Sequence, residues 1–332
     1  MRRVVILGAG GMGTAIALLL ERSVESVSIW LRDPGRAERL AATRVNERHL
    51  PGVPIPDRVR VTADAGDAAR GADLIVAATP TAFLRTTLEA TASALPAGVP
   101  VLSVVKGIEN GTFARPSQII GQVLGEREIA VLSGPSHAEE LARGQPASVL
   151  VSAPGGRLAE QVRDLLNHES LRVYTSSDPL GVELAGALKN VLGLAAGVCD
   201  GLGLGDNAKA ALLTRGLVEI TRLGVDLGAR PETFQGLAGV GDVVATCYSR
   251  HGRNRMVGER IGRGESLDHV LAGMVDVAEG IATTRSIVPL AQKRAVSMPI
   301  TTQLHQVLFE GKPPRAAVID LMVRAPKVEW DP

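Results

Sequence analysis

Val4-Val5-Ile6-Leu7-Gly8-Ala9-Gly10-Gly11-Met12-Gly13 is the stretch that decides the fold. Its four leading apolar residues, three of them β-branched, read as a short buried strand, and the alanine- and leucine-rich run over 12–22 reads as a helix. Between them Gly8, Gly10 and Gly13 fit the pattern GxGxxG, in the strand–turn–helix context that the pattern requires. Gly8 permits the tight turn, Gly10 lets the backbone approach a pyrophosphate, and Gly13 allows close packing of helix on strand. The helix start then offers unpaired N–H groups and the positive end of its dipole to phosphate oxygens. A dinucleotide site is the reading. Some twenty residues further on, where the ribose is read, the next strand ends in Trp30-Leu31-Arg32-Asp33. An acidic side chain at that tip favours NAD, whereas an arginine pairs with a 2′-phosphate. With Arg32 ahead of Asp33 the expectation leans to NADP, NAD being also possible, and a solvated Arg–Asp loop is the competing reading.

Outward from this unit, strand-like runs recur at Val27–Trp30, Val59–Thr62, Leu74–Ala78, Val101–Val105, Ala130–Ser133, Ser148–Val151 and Leu171–Tyr174. Helix-compatible segments fall between most of them, at 36–44, 65–70, 81–94, 117–124, 136–143 and 157–167. The Pro-rich piece Leu50–Pro56 reads as a loop. Such alternation implies a mainly parallel sheet covered by helices on both faces. After Asp178 the strand signal fades. Residues 180–200, 207–227, 253–262, 267–272, 280–295 and 301–309 look helical, and Asp206 stands where it could cap the second of these. The expected fold is therefore an α/β Rossmann-type doubly wound parallel sheet domain over 1–177, followed by an all-α domain over 178–332.

Composition narrows the function. The 332 residues are 45% hydrophobic and 21% charged, with a net charge of +1, ordinary for a soluble globular protein. That balance offers no concentrated basic face for nucleic acid or a membrane surface. Aromatic residues, at 2%, are too few to stack single-stranded bases. Cys199 and Cys247 stand far apart in no paired spacing, so neither a disulfide framework nor a zinc site is expected. The six histidines form no HxxxH or HExxH arrangement, and no metal is expected. The longest apolar runs are broken by charge short of a membrane span, and no signal pattern precedes the first strand. A cytoplasmic location with no membrane span is the expectation.

Within the helical half, Val182, Leu184, Ala185, Leu188, Val191, Leu192, Leu194 and Ala195 surround a lysine, Lys189. Lysine is rarely buried without a partner or a task. Four further segments carry polar chemistry where a core would not need it. Lys106 ends a strand at the sheet edge where doubly wound folds bind ligands. Ser133-Gly134-Pro135-Ser136 ends the next strand and opens a helix. Asp242 is a glycine-flanked carboxylate followed by Thr246, and Arg250-His251-Gly252-Arg253-Asn254-Arg255 is a dense positive run. A surface lysine, a helix cap and a solvated helix start are the competing readings for Lys106, Asp242 and the arginines, and a lysine that snorkels out of its helix is the competing reading for Lys189. Jointly, however, a proton donor, a carbonyl-polarising cation, an orienting carboxylate and a phosphate clamp are what reduction of a carbonyl on a phosphorylated compound needs. Lys189, Lys106, Asp242 and Arg253 supply one each.

The chain resembles the NAD(P)-dependent glycerol-3-phosphate dehydrogenases of the bacterial type. The likeness runs through GAGGMGTA, SVVKGIE, SGPSHAEELARG, ELAGALKNVLGLAAG, GDNAKAALLTRG, GVGDVVATC, GRNR and VAEGIATT, in family order and over nearly the whole chain. It implies an enzyme that interconverts dihydroxyacetone phosphate and sn-glycerol 3-phosphate, and with it a part in glycerophospholipid biosynthesis. It implies that Lys189 is the proton acceptor and donor, that Lys106 contacts both substrate and cofactor, and that Gly134, Ser136, Asp242, Gly252, Arg253 and Asn254 line the substrate site. By the same likeness Gly11, Met12, Arg32, Lys106, Ala138, Arg253, Val277 and Glu279 contact the dinucleotide. The family usually has Ser and an aromatic residue where this chain has Gly11 and Met12, and commonly Ser where it has Gly252. At Gly252 only a backbone N–H is then left to contribute. The rival readings are a related two-domain dehydrogenase of β-hydroxy acids or phosphosugar acids, and a non-catalytic NADP-sensing protein. A small-molecule substrate and a possible homodimer complete the expectation.

Overall fold

Strand β1 (Arg3–Leu7) lies inside an eight-stranded sheet of order β3-β2-β1-β4-β5-β6-β7-β8, formed with β2 (Ser26–Trp30), β3 (Val59–Thr62), β4 (Leu74–Ala77), β5 (Val101–Ser103), β6 (Ile129–Ser133), β7 (Ala147–Ser152) and β8 (Leu171–Ser176). The computed structural model describes every residue except 250, 275–276, 327 and 330–332. Neighbouring strands pair in parallel except at β6–β7, where Val131 opposes Ser152 and Ser133 opposes Leu150 in an antiparallel register. Successive side chains of a strand point to opposite faces. Val4 and Ile6 accordingly join one buried cluster with Ile16, Leu20 and Ile29, while Val5 and Leu7 join another with Leu84, Leu88 and Ile119. Both faces of the sheet are covered, as the continuous apolar strands require.

Helices α1 (Gly11–Leu20), α2 (Pro34–Thr43), α3 (Ala65–Ala69), α4 (Thr81–Thr91), α5 (Pro116–Leu124), α6 (Ala138–Ala142) and α7 (Arg157–Leu166) connect the strands. The chain runs from β1 outward to β2 and β3, then returns to place β4 on the other side of β1. This reversal opens a crevice beyond the carboxyl ends of β1 and β4, the place where such sheets hold ligands.

Beyond β8 the chain is helical: α8 (Pro179–Leu202), α9 (Gly205–Asp226), α10 (Pro231–Gln235), α11 (Asp242–Tyr248), α12 (Arg253–Gly262), α13 (Leu267–Ala272), α14 (Glu279–Lys293), α15 (Pro299–Phe309) and α16 (Pro314–Met322). Asp178 caps α8 by accepting from the Gly181 N–H at 2.9 Å. From Gly181 to Cys199 every residue of α8 is buried, so this is a core helix. By length and composition alone it would suffice to cross a membrane, which corrects the expectation that charge breaks every apolar run too early. Its apolar window is wholly inside the protein. Two other expectations change. Asp206 is not a cap, since Leu204 holds that position and Asp206 lies in the first turn of α9. Helices α10, α11 and α16 were not foreseen, being short or followed by no further periodic segment.

α12 crosses α8 at a distance that only glycine allows. A Cβ on Gly258 would stand 2.0 Å from the Leu194 carbonyl oxygen, and one on Gly197 would stand 1.9 Å from the Arg255 carbonyl oxygen. Gly121, within α5, has nothing within 4 Å of its own Cβ position. Gly258→Ala is therefore expected to lower the free energy of unfolding by about 2 kcal/mol or more through overpacking, whereas Gly121→Ala raises it by about 0.5–1 kcal/mol. Denaturant titration of the two variants checks the contrast, and an equal response from both removes the steric argument.

Candidate active site

Lys189 lies on the face of α8 toward α11, and at 7% exposure it is enclosed. Its Nζ donates to Asp242 Oδ1 at 2.9 Å and to the Thr246 hydroxyl. Asp242 and Thr246 are one turn apart on α11 and so face α8 together. A π-helical turn over Leu237–Gly241 leads into α11, seated on the backbone of Phe234. The second oxygen of the buried Asp242 carboxylate accepts from Lys106 Nζ at 2.5 Å. Lys106 follows the end of β5 and also donates to the Gly134 carbonyl at 3.0 Å and the Ser136 hydroxyl at 3.2 Å. Lys106 and Lys189, distant in sequence, thus meet on the Asp242 carboxylate, with Gly134 and Ser136 against Lys106 and Thr246 against Lys189.

Two ammonium groups and one carboxylate leave the cluster one positive charge in excess. Burial pushes Lys106 down to about 8, helped by the charge of Lys189 and opposed by Asp242. Burial alone would raise Asp242, but the ammonium groups of Lys106 and Lys189 outweigh it and hold the carboxyl below its ordinary range. A cluster of this kind stabilises an anion or an oxygen that is becoming one.

Around this centre, Asn254 Nδ2 donates to Asn190 Oδ1 at 3.0 Å while Asn254 Oδ1 accepts from the Gly280 N–H at 2.9 Å. The amide therefore ties the starts of α12 and α14 together and keeps one hydrogen for a ligand. Arg253 is exposed and donates from one guanidinium nitrogen to the Val277 carbonyl at 3.2 Å. The Gly252 N–H, expected to face a ligand, instead donates to the Ser249 carbonyl at 3.1 Å. It closes the turn that starts α12 and is spent there. Arg250 lies outside the described residues. The carboxylate of Glu279 accepts from the Thr81 N–H at 3.0 Å, and burial pushes its carboxyl up to about 7. Sequence reasoning passed over Thr81 and Asn190. Ser133 Oγ lies 3.5 Å from Asp242 Oδ2, and its place in SGPS was the one available signal.

The glycine turn fits a dinucleotide. Gly8 has φ of +119°, and a Cβ on Gly13 would stand 2.0 Å from the Gly8 carbonyl oxygen, so helix and turn pack as the fingerprint demands. A Cβ at Gly10 would meet nothing within 4 Å, which leaves the approach to the start of α1 open. Gly11 faces Ala138, and Met12 packs partly buried against the core. Asn46 fastens the turn from below, donating to the Ala9 carbonyl at 3.0 Å and the Thr14 hydroxyl at 2.9 Å. At the tip of β2, Asp33 accepts from the Arg36 N–H at 3.0 Å and caps α2, whereas Arg32 is exposed beside it.

A glycine cradle at the switch point of a mainly parallel sheet, with a lysine–aspartate cluster formed jointly by that sheet and the helices after it, is the arrangement of a two-domain nicotinamide-dependent dehydrogenase. Residues 3–159 match the family described as the NAD-dependent glycerol-3-phosphate dehydrogenase N-terminus, and residues 178–319 match its C-terminus. The chain belongs to this family. It is 47% identical to a glycerol-3-phosphate dehydrogenase of Chlorobium limicola, over 98% of this chain and 99% of that one. It is 46% identical to the enzyme of that name from Geobacillus thermodenitrificans, over 100% and 97%. Both of those proteins carry NAD(P)+ in their names. The crystal structure of glycerol-3-phosphate dehydrogenase from Coxiella burnetii superposes with a TM-score of 0.93 at 35% identity, covering 97% of this chain and 99% of that one.

Removing the shared carboxylate leaves two enclosed ammonium groups without their counter-ion. Asp242→Asn is expected to cost about 3 kcal/mol of stability at pH 7. With burial no longer opposed, Lys106 sheds its proton at a lower pH than the parent's value of about 8, so the deficit shrinks as pH rises toward 8 and levels off above it. Unfolding titrations at pH 7 and pH 9 measure this, and a deficit that grows with pH contradicts the assignment.

Proposed function

We propose that the chain interconverts dihydroxyacetone phosphate and sn-glycerol 3-phosphate, with NADP or NAD as the dinucleotide, and so feeds glycerophospholipid synthesis. The contact of Lys106 and Lys189 with the single carboxylate of Asp242 carries this reading. A ketone oxygen placed against the two ammonium groups gains charge stabilisation in proportion to the charge it develops. Lys189 then gives its proton to the oxygen on C2 during reduction and takes it back in the reverse direction. Asp242 and Thr246 fix the Lys189 ammonium, so that one proton is aimed at the substrate. Lys106, anchored on Gly134 and Ser136, polarises the carbonyl from the nucleotide side.

Arg253 and the first-turn N–H groups of α12, including that of Asn254, hold the phosphate, with Gly252 acting only through the turn it closes. Gly8, Gly10, Gly11, Met12 and Gly13 receive the pyrophosphate, and Arg32 the 2′-phosphate. Ala138, Val277 and Glu279 flank the remainder of the dinucleotide. Bound in this cradle, the nicotinamide supplies the hydride that C2 accepts. Closure of the two domains across the crevice excludes water. The proposal places the boundary between them at 177/178, supported by the Asp178 cap. It extends to a cytoplasmic enzyme, supported by the complete burial of the one membrane-length helix among the described residues. It extends also to a homodimer, supported by Ile319, Met322 and Val323, which stand 60%, 78% and 73% exposed at the end of the helical domain.

Lys189→Ala is expected to cut turnover of dihydroxyacetone phosphate by about 100-fold or more, with NADPH binding by fluorescence titration unchanged. Near-normal turnover removes Lys189 from the reaction. Arg253→Ala is expected to raise KM for the phosphorylated substrate by about 10- to 100-fold, the loss of one charge-assisted contact, with a smaller change in kcat. For the cofactor, Arg32→Ala is expected to raise KM for NADPH about tenfold and to leave NADH nearly unaffected. Equal effects on the two cofactors remove Arg32 from 2′-phosphate recognition.

A further inference from the structure

Asp200 lies about three turns beyond Lys189 on α8, outside the reacting centre, yet its carboxylate gathers two cations. Both its oxygens accept from Lys209 Nζ, at 2.9 Å each, and Oδ2 also accepts from an Arg255 guanidinium nitrogen at 3.0 Å. The same guanidinium donates to Glu259 Oε2 at 2.8 Å and, through Nε, to the Ser249 carbonyl at 3.1 Å. That carbonyl is the one that accepts from the Gly252 N–H and closes the turn into α12. Lys209 Nζ stands 4.6 Å from the centre of the Tyr248 ring, at the end of α11. We propose that Asp200, Lys209 and Arg255 form a positioning frame that anchors Tyr248 and the Ser249 carbonyl and so aims the phosphate-binding first turn of α12 at the substrate.

The frame acts at two points. At the end of α11, the Tyr248 ring is 53% exposed, and the ammonium of Lys209 over its face holds it in place. Before α12, the Ser249 carbonyl has two donors, the Gly252 N–H and Arg255, so Gly252 and Arg255 are tied to the same oxygen, one of them by a charge-assisted bond. Lys209 is itself only 7% exposed and needs the Asp200 carboxylate as counter-ion. Arg255 is suited to its place because a planar guanidinium reaches two carboxylates and a carbonyl at once, which a lysine cannot. None of the three residues is required to touch substrate. Their effect is preorganisation: Arg253 and the N–H groups beside it are held in the binding geometry before the phosphate arrives.

The inference rests on the reading of Arg253 as the phosphate clamp, and the test separates the two. Arg255→Lys retains the charge and is expected to raise KM for dihydroxyacetone phosphate about tenfold, with kcat within threefold of the parent enzyme. Turnover of unphosphorylated dihydroxyacetone, assayed at high concentration, is expected to be equal in the variant and the parent, because that compound makes no use of the clamp. Asp200→Asn, which releases Lys209 as well, is expected to show the same split together with a lower melting temperature. A KM unchanged in Arg255→Lys, or an equal loss on both substrates, overturns the frame. If Arg253→Ala also leaves KM unchanged, the clamp itself has failed; if Arg253→Ala raises KM and Arg255→Lys does not, only the frame has.

Discussion

One carboxylate shared by two ammonium groups is the constraint on which the rest depends. Asp242 is 2% exposed and Lys189 7%, and neither ion is tolerable alone at such depth. Each is the other's condition for being there, and Lys106 completes the set from across the crevice. A buried ion pair of balanced charge is often no better for stability than an apolar pair of the same shape. This cluster is not balanced. Its surplus positive charge has a purpose only if something negative, or becoming negative, arrives beside it, which is why the arrangement reads as a site and not as a structural bridge.

The helix that carries Lys189 is keyed to the sheet domain in the same way. α8 is buried all round, so each ionic side chain on it must find a partner in a particular direction. Glu183, 6% exposed, accepts from the Ser117 N–H at 2.7 Å and the Ser117 hydroxyl at 2.6 Å and pairs with Arg115 at the start of α5. Burial still pushes the Glu183 carboxyl up, against the pull of these partners. Lys189, nearly two turns further along, reaches α11. The two contacts fix rotation and slide of α8 together, while the glycine crossing with α12 fixes its distance from Arg253 and Asn254. The lysine is thus placed by packing, not by a loop.

How much of this was legible follows from the range of each interaction. The strand–turn–helix around Gly8–Gly13 and the alternating units after it repeat locally, so their period is visible in the chain. Lys189 was conspicuous because its apolar neighbours on the same helix made a lone charge improbable. Partnerships across long separations leave no such trace. Nothing near Asn254 announces Gly280, nothing near Glu279 announces Thr81, and nothing near Asp200 announces the Ser249 carbonyl. Asp206 misled because a carboxylate before a helical run has the right chemistry for a cap, but Gly203 and Gly205, at φ of +68° and +80°, set the turn and let the helix start sooner. The antiparallel pairing of β7 was equally hidden, since a strand buried on both faces shows the same composition in either direction.

The cofactor end shows the same lesson at one position. In the chain, Arg32 and Asp33 compete for the ribose, and spacing alone leaves both cofactors open. The fold divides their labour: a helix begins at Pro34, its first-turn N–H groups need an acceptor, and Asp33 is the residue in place to supply one. The cap engages Asp33 Oδ1 and holds the side chain toward the first turn of α2. Arg32, next to it and exposed, has no such duty. The lean toward a 2′-phosphate therefore rests on the demand of α2 for a cap, a requirement of the helix and not of the ligand.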